Sequence, residues 1–213
     1  MGMSLAAEMQ AVIANLESRE WIQRTEVDGD AVCAHGAVKT CKALRPGDEQ
    51  IIKAVMRTKG VTEKWNDEDG RTKSQVLARM RQIEVSDDDL ADTFGPNWRL
   101  VIAVVRRAAI LTTGEVRQLS ITRRGMRYSA WSSAWSSARD AASDAERNAE
   151  WYAAWNAARC STLHRSAVGA FVGATCVVAD LVGQHGFTQK HIDTLMKPWT
   201  DVLSENWAEG MLP

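Results

Sequence analysis

The sequence predicts an all-α protein: an N-terminal helical domain over residues 1–85, then a C-terminal helical bundle over 86–213 built on one long Trp- and Ala-rich helix. Three observations predict it. Apolar residues recur at helical spacing in one window after another. Two capping boxes, Thr72 with Gln75 and Thr112 with Glu115, mark helix starts just ahead of apolar runs. Residues 127–159 contain neither Gly nor Pro and are rich in Ala, Arg and Glu, which are good helix formers.

Taken in order, residues 3–18 place Leu5, Met9, Val12, Ile13 and Leu16 on one side of an amphipathic first helix. Trp21 to Val27 reads as a short strand or an extended connector, and Asp28-Gly29-Asp30 as a turn. Val32 to Leu44 resumes a helix with Cys33, Ala37, Cys41 and Leu44 along one side, ended by Arg45-Pro46-Gly47. A third helix covers Asp48 to Arg57 over Ile51, Ile52 and Val55, closed by Gly60. The loop Trp65-Asn66-Asp67-Glu68-Asp69-Gly70-Arg71 leads into the Thr72 cap and a helix over Val76, Leu77 and Met80.

From Glu84 to Asp92 there are five acidic residues and no basic one, with Ser86 as a helix start, and this run marks the boundary between the two halves. Gly95-Pro96-Asn97 opens a helix whose apolar face is Trp98, Val101, Ile102, Val105 and Ile110. The Thr112 cap then precedes Val116 and Leu119. Residues 167–182 read as a buried helix: Asp180 and a length short of the roughly 20 residues a bilayer requires argue against a membrane span. Thr188 to Met196 forms a further helix, and Pro198 starts a last short one over Trp199, Val202, Leu203 and Trp207.

Within the long helix, Arg127, Trp131, Trp135, Arg139, Arg147, Trp151, Trp155 and Arg159 recur in steps of four. Each such step overshoots a full turn by about 40°, so the stripe winds around the axis. Trp131 and Trp135 are neighbours, as are Trp151 and Trp155, but the two pairs stand roughly 160° apart. They therefore face different partners. Large anchors in grooves of small residues are the plainer explanation, and a surface for a partner or a stacked ligand is the functional one. An Ala-rich face lets two helices approach closely, which predicts a homodimer.

Composition narrows the function. A net charge of −1 gives no overall bias toward nucleic acid or membrane. The opening residues, with Glu8 inside a helical pattern, do not read as a signal peptide, which predicts a cytoplasmic protein. Cys33, Cys41, Cys160 and Cys176 stand at no zinc-ribbon or thioredoxin spacing and are expected as reduced thiols. Cys160 and His164 are one turn apart, with His185 or His191 available to complete a ligand set, yet no second short pair accompanies them, so no metal and no cofactor is expected. No Gly-rich phosphate loop, nucleophile elbow or His-Glu-x-x-His pair is present, which argues against an enzyme.

Two surfaces remain as binding candidates. In the Trp65, Asn66, Asp67 and Arg71 loop, the Asn and Asp are placed to hold backbone N–H groups and Arg71 to close the loop on Asp67; the functional alternative has Arg71 contacting an anion near the next helix. The other candidate is the window 99–127, where Arg106, Arg107, Arg117, Arg123, Arg124 and Arg127 join Arg99 against Glu115 alone and suit nucleic-acid phosphates. The nearby acidic run offers these arginines internal compensation instead.

The landmarks Trp21-Ile22-Gln23, Cys33-Ala34-His35-Gly36-Ala37, Trp65-Asn66-Asp67 and Gly70-Arg71-Thr72 with Val76-Leu77 resemble a small helical domain family of actinobacteria and their bacteriophages, over about residues 5–85. The Trp/Ala-rich helix and the segment from Phe187 to Trp199 are similar to the C-terminal regions of small actinophage proteins. The resemblance implies a phage-derived accessory protein and no particular chemistry. Together these readings predict a non-enzymatic binding protein that engages a host protein or sequesters a small molecule, with a nucleic-acid binder using the basic window as the alternative.

Overall fold

The computed structural model describes residues 3–96, 98–125 and 189–203. The protein is mostly helical, with nine helices and a single two-stranded ribbon among the described residues. Two compact units divide the chain, Met1–Asp92 and Thr93–Pro213. The acidic run belongs largely to the first of them, because Lys59 Nζ lies 2.7 Å from Asp89 Oδ1 and 3.0 Å from Asp92 Oδ2.

In the first unit, α1 (Leu5–Glu17) starts at Ser4, whose hydroxyl accepts the Ala7 N–H. Its buried face is Leu5, Met9, Val12, Ile13 and Leu16, together with Glu8. The next segment departs from the expected helix over Val32 to Leu44. A ribbon forms first, β1 (Val27–Asp28) antiparallel to β2 (Ala31–Val32), turning through Gly29 at φ +58°. Trp21 bridges to Val32 in the parallel sense on the other side. Extended backbone at Cys33 then caps a shorter α2 (Ala34–Thr40), the Cys33 sulfur accepting the Gly36 N–H. The Val32 N–H is bonded to Glu20 O, which holds Val32 in the extended segment.

Helix α3 (Asp48–Thr58) buries Ile51, Ile52, Val55 and Met56 and begins after Gly47, whose φ of +93° is open to glycine at little strain. One turn, α4 (Glu63–Asn66), and α5 (Lys73–Met80) follow. The α5 capping box is complete: Thr72 Oγ1 accepts the Gln75 N–H at 3.3 Å, and Gln75 Oε1 accepts the Thr72 N–H at 2.9 Å. Replacing Thr72 by Ala removes one half of this exchange, and we expect a loss of about 1 kcal/mol in urea unfolding of the full chain. α1 packs on α2, α3 and α5, which closes the core of this unit.

Helix α6 (Asp87–Phe94) begins in a second reciprocal cap, Ser86 with Asp89. In the second unit, α7 (Trp98–Ala109) buries Trp98, Val101, Ile102 and Val105, whereas Ile110, expected on the same face, lies past the helix end and is 44% exposed. Helix α8 (Thr113–Gly125) starts at the Thr112–Glu115 box. The final described helix, α9 (Gln189–Leu203), packs along α8 and runs unbroken through Pro198. One helix thus replaces the two expected: an interior proline removes a single backbone bond, a loss that flanking turns packed on a neighbour can absorb. The helices expected over residues 127–159 and 167–182, with the four indoles Trp131, Trp135, Trp151 and Trp155, fall outside the described residues. Among the described residues no helix is long and apolar enough to cross a membrane.

Candidate functional site

The turn between α3 and α5 is built around one buried amide. Thr62 caps α4 by accepting the Trp65 N–H, which carries Asn66 inward to 0% exposure. Asn66 Oδ1 accepts the indole N–H of Trp21 and the backbone N–H of Ala34, each at 3.3 Å. Its Nδ2 donates to Asp67 Oδ1 at 2.8 Å, and its backbone carbonyl accepts Gln23 Nε2 at 3.0 Å. Asp67 Oδ1 also accepts the Arg24 N–H at 2.8 Å. Three segments that are far apart in the chain, 21–24, Ala34 and 66–67, are thereby joined, and Arg24 is held at φ +67°, a left-handed conformation unfavourable for a side chain of its size.

Arg71 does not close the loop on Asp67. Its guanidinium pairs with Glu68, its Nε donates to Trp65 O at 3.2 Å, and its Cζ stands 4.1 Å from the centroid of the Trp65 ring. The physical reason is that Asp67 is already engaged by Arg24 and Asn66, whereas Glu68, three residues before Arg71, is exposed and within reach. With its side chain 17% exposed and these three contacts made, Arg71 is a brace for the loop. Asn66 and Asp67 do hold backbone N–H groups, but those of Ala34 and Arg24, not those of the helix that follows.

Beside this brace lies an open cleft of about 620 Å³. Trp65 lines it together with Arg24, Lys64, Asp67, Glu68 and Asp69, while Arg71 does not. Arg24 and Asp69 pair across its rim at 3.0 Å, both highly exposed. An aromatic surface ringed by charges of both signs is suited to binding; with Arg71 turned away, Asp67 has no cationic partner for catalysis from that residue. Trp21, Gln23, Arg24, Lys64, Glu68 and Asp69 are the members not singled out from the sequence as site residues. Gln23 was legible only as the end of the Trp-Ile-Gln landmark.

Arg106 is 4% exposed, and Arg107 pairs with Glu115. The Glu115 carboxyl sits below the ordinary glutamate range, first through the Thr112 N–H it accepts and further through Arg107. Two of the basic window's arginines are therefore placed inward, Arg117 is exposed, Arg123 and Arg124 lie on α8, and Arg127 lies outside the described residues. Arg99 stacks over Trp98 at 4.2 Å. Cys33 is buried, and burial pushes its thiol up, away from thiolate chemistry. His35 is wholly buried, its Nε2 2.9 Å from Val61 O, and burial lowers its basicity. Across from its Nδ1, at 3.7 Å, lies Glu63. Although burial works to raise it, the Glu63 carboxyl is brought down to about 2, foremost by its hydrogen bonds from Arg57. His35 is thus a core histidine. No group of three or more potential metal ligands converges among the described residues, and Cys160, Cys176, His164 and His185 lie outside them.

The model of a family of unknown function (DUF6197) matches residues 2–84, the stretch that contains the whole landmark from Trp21 to Thr72. No curated protein and no solved structure matches the chain.

Proposed function

We propose that this chain is a non-enzymatic binding protein, a phage-encoded accessory factor that engages a host protein or sequesters a small molecule through the cleft beside Trp65. The observation that carries this reading is the division of labour in the loop. Asn66, Asp67 and Arg71 are consumed in bracing it, while Trp65 lines an open cleft rimmed by Arg24, Lys64 and Asp69. A rigid support beneath an exposed mixed-charge surface is what a preorganised binding site requires. The phage origin rests on the resemblance of the Trp21 to Thr72 landmarks to domains of actinobacteria and their bacteriophages.

The test uses the full chain and a double charge reversal, Lys64→Glu with Asp69→Lys. Lys64 is exposed, and Asp69 takes part only in a surface pair of small energetic weight, so the fold should survive. Quantitative mass spectrometry of proteins captured from host lysate, with native mass spectrometry for co-purifying small molecules, should show at least one species reduced about tenfold or more in the variant, the effect of about 1.4 kcal/mol at the contact. Equal recovery of every species by the two proteins would remove the cleft as the binding surface.

A further inference from the structure

Three buried side-chain polar atoms lack a partner among the described residues, and two of them, Glu8 Oε2 and Arg45 Nη2, belong to one cluster remote in sequence from the cleft loop. Glu8 lies on the inward face of α1, and Asp48 is the first residue of α3; both are 0% exposed. Arg45, in the turn before α3, donates its Nε to Glu8 Oε1 at 2.9 Å and to Asp48 Oδ2 at 3.0 Å. A single guanidinium therefore serves two buried carboxyl groups. With Glu8 ionised, its Oε2 would bear negative charge away from water without a donor, which is strongly disfavoured. A proton on the Glu8 carboxyl removes that charge and allows a side-chain hydrogen bond to Asp48.

We propose that Glu8, Asp48 and Arg45 form a proton-held latch: one proton on the Glu8 carboxyl, which hydrogen-bonds to Asp48, fastens α1 to the start of α3, and its loss loosens that joint. Burial, reinforced by Asp48 and opposed by Arg45, pushes the Glu8 carboxyl up to about 7. The charges on the neighbouring elements are engaged elsewhere. On α2, Lys39 pairs with Glu26, and His35 faces Val61 O and Glu63. On α3, Lys53 holds Glu26 and Glu49, and Arg57 holds Glu63. On and beside α5, Lys73 donates to Glu17 O and Arg19 O, Arg79 to Lys59 O, and Arg81 pairs with Glu17 at the far end of α1.

The direction of the effect follows from the raised value. The folded chain retains this proton between 4.5, the ordinary glutamate value, and about 7, whereas the unfolded chain has released it. The latch is therefore fully closed below 4.5, weakens as pH rises through that interval, and is open above about 7. His35 acts in the opposite sense, because its lowered basicity favours the folded state as pH rises toward the ordinary histidine value. A readout confined to Glu8 and α1 separates the two.

The full chain labelled with ¹³C at glutamate carboxyl carbons would be titrated by NMR, the Glu8 resonance being identified by its absence in Glu8→Gln. The expected result is a midpoint near 7 that drops by more than about one pH unit in Asp48→Asn, equivalent to a tenfold change in proton affinity. Amide exchange in α1, corrected for its intrinsic pH dependence, should rise about tenfold between pH 6 and 8.5 in the wild type and stay level in Glu8→Gln. A midpoint in the ordinary glutamate range, or α1 protection that follows the same pH course in both proteins, overturns the proposal. Should Glu8→Gln fail to fold, the wild-type carboxyl titration decides alone: a latch requires one glutamate titrating near neutrality, and no such resonance means no latch.

Discussion

Gly36→Ala should destabilise the first unit by on the order of 3 kcal/mol or more, against the sign that helix propensity predicts. Gly36 lies inside α2, where Ala would ordinarily be the better residue by about 1 kcal/mol. A Cβ built there, however, falls 1.7 Å from the carbonyl oxygen of Glu26 and 2.6 Å from its carbon. Those are backbone atoms that cannot rotate aside. Nor can the Glu26 segment retreat: its carbonyl accepts the Cys33 N–H at 3.1 Å, and its carboxylate is clamped by Lys53 and Lys39, each at 3.0 Å. Burial opposes its ionisation, yet these two lysines hold the Glu26 carboxyl below the ordinary glutamate range. Gly29→Ala is the matched comparison. It has φ +58° but nothing within 4 Å of a new Cβ, so only backbone strain of about 1 kcal/mol is expected. Urea unfolding of the two full-length variants followed by circular dichroism measures the difference, and equal losses would mean that the Glu26 segment gives way to a methyl group on α2.

Asn66→Ala is expected to cost about 3 kcal/mol, because it strands donors inside the unit. The indole N–H of Trp21 and the buried N–H of Ala34 lose their shared acceptor, and Asp67 loses one of its donors. Asn66→Asp separates acceptance from donation. Its carboxylate could still receive Trp21 and Ala34, but the atom replacing Nδ2 would meet Asp67 Oδ1 across the 2.8 Å that now holds a hydrogen bond. That variant should be markedly destabilised at neutral pH and recover as the solution is acidified into the carboxyl range, where one of the two groups can take a proton. Unfolding midpoints at pH 7 and pH 4 test both. An Ala variant within about 1 kcal/mol of wild type would show that the amide is not the joint between these segments.

How far the site was legible depends on the reach of each interaction. Thr72 with Gln75 and Thr112 with Glu115 were readable as helix starts because a capping box closes within four consecutive residues. The inward faces of α1, α3 and α7 were readable for the same reason, since periodicity is a property of neighbours along one chain segment. The Trp65 to Thr72 stretch could be recognised as special from its residue types. Its partners could not: Asp67 had several donors in prospect, and only the fold brought the Arg24 N–H to it and left Arg71 to Glu68.

By itself, then, the sequence determined that this protein is helical, where most of its described helices begin, and which loop stands apart. Tertiary structure alone decided that Val32 joins a ribbon in place of a helix, that α9 continues through Pro198, that Arg106 turns inward and that Gly36 lies under a carbonyl ten residues before it. The physical reason is one of range. Caps and periodicity are satisfied within a turn or two of the chain, whereas a buried polar group bonds to whatever donor or acceptor the packing of distant segments places within about 3 Å.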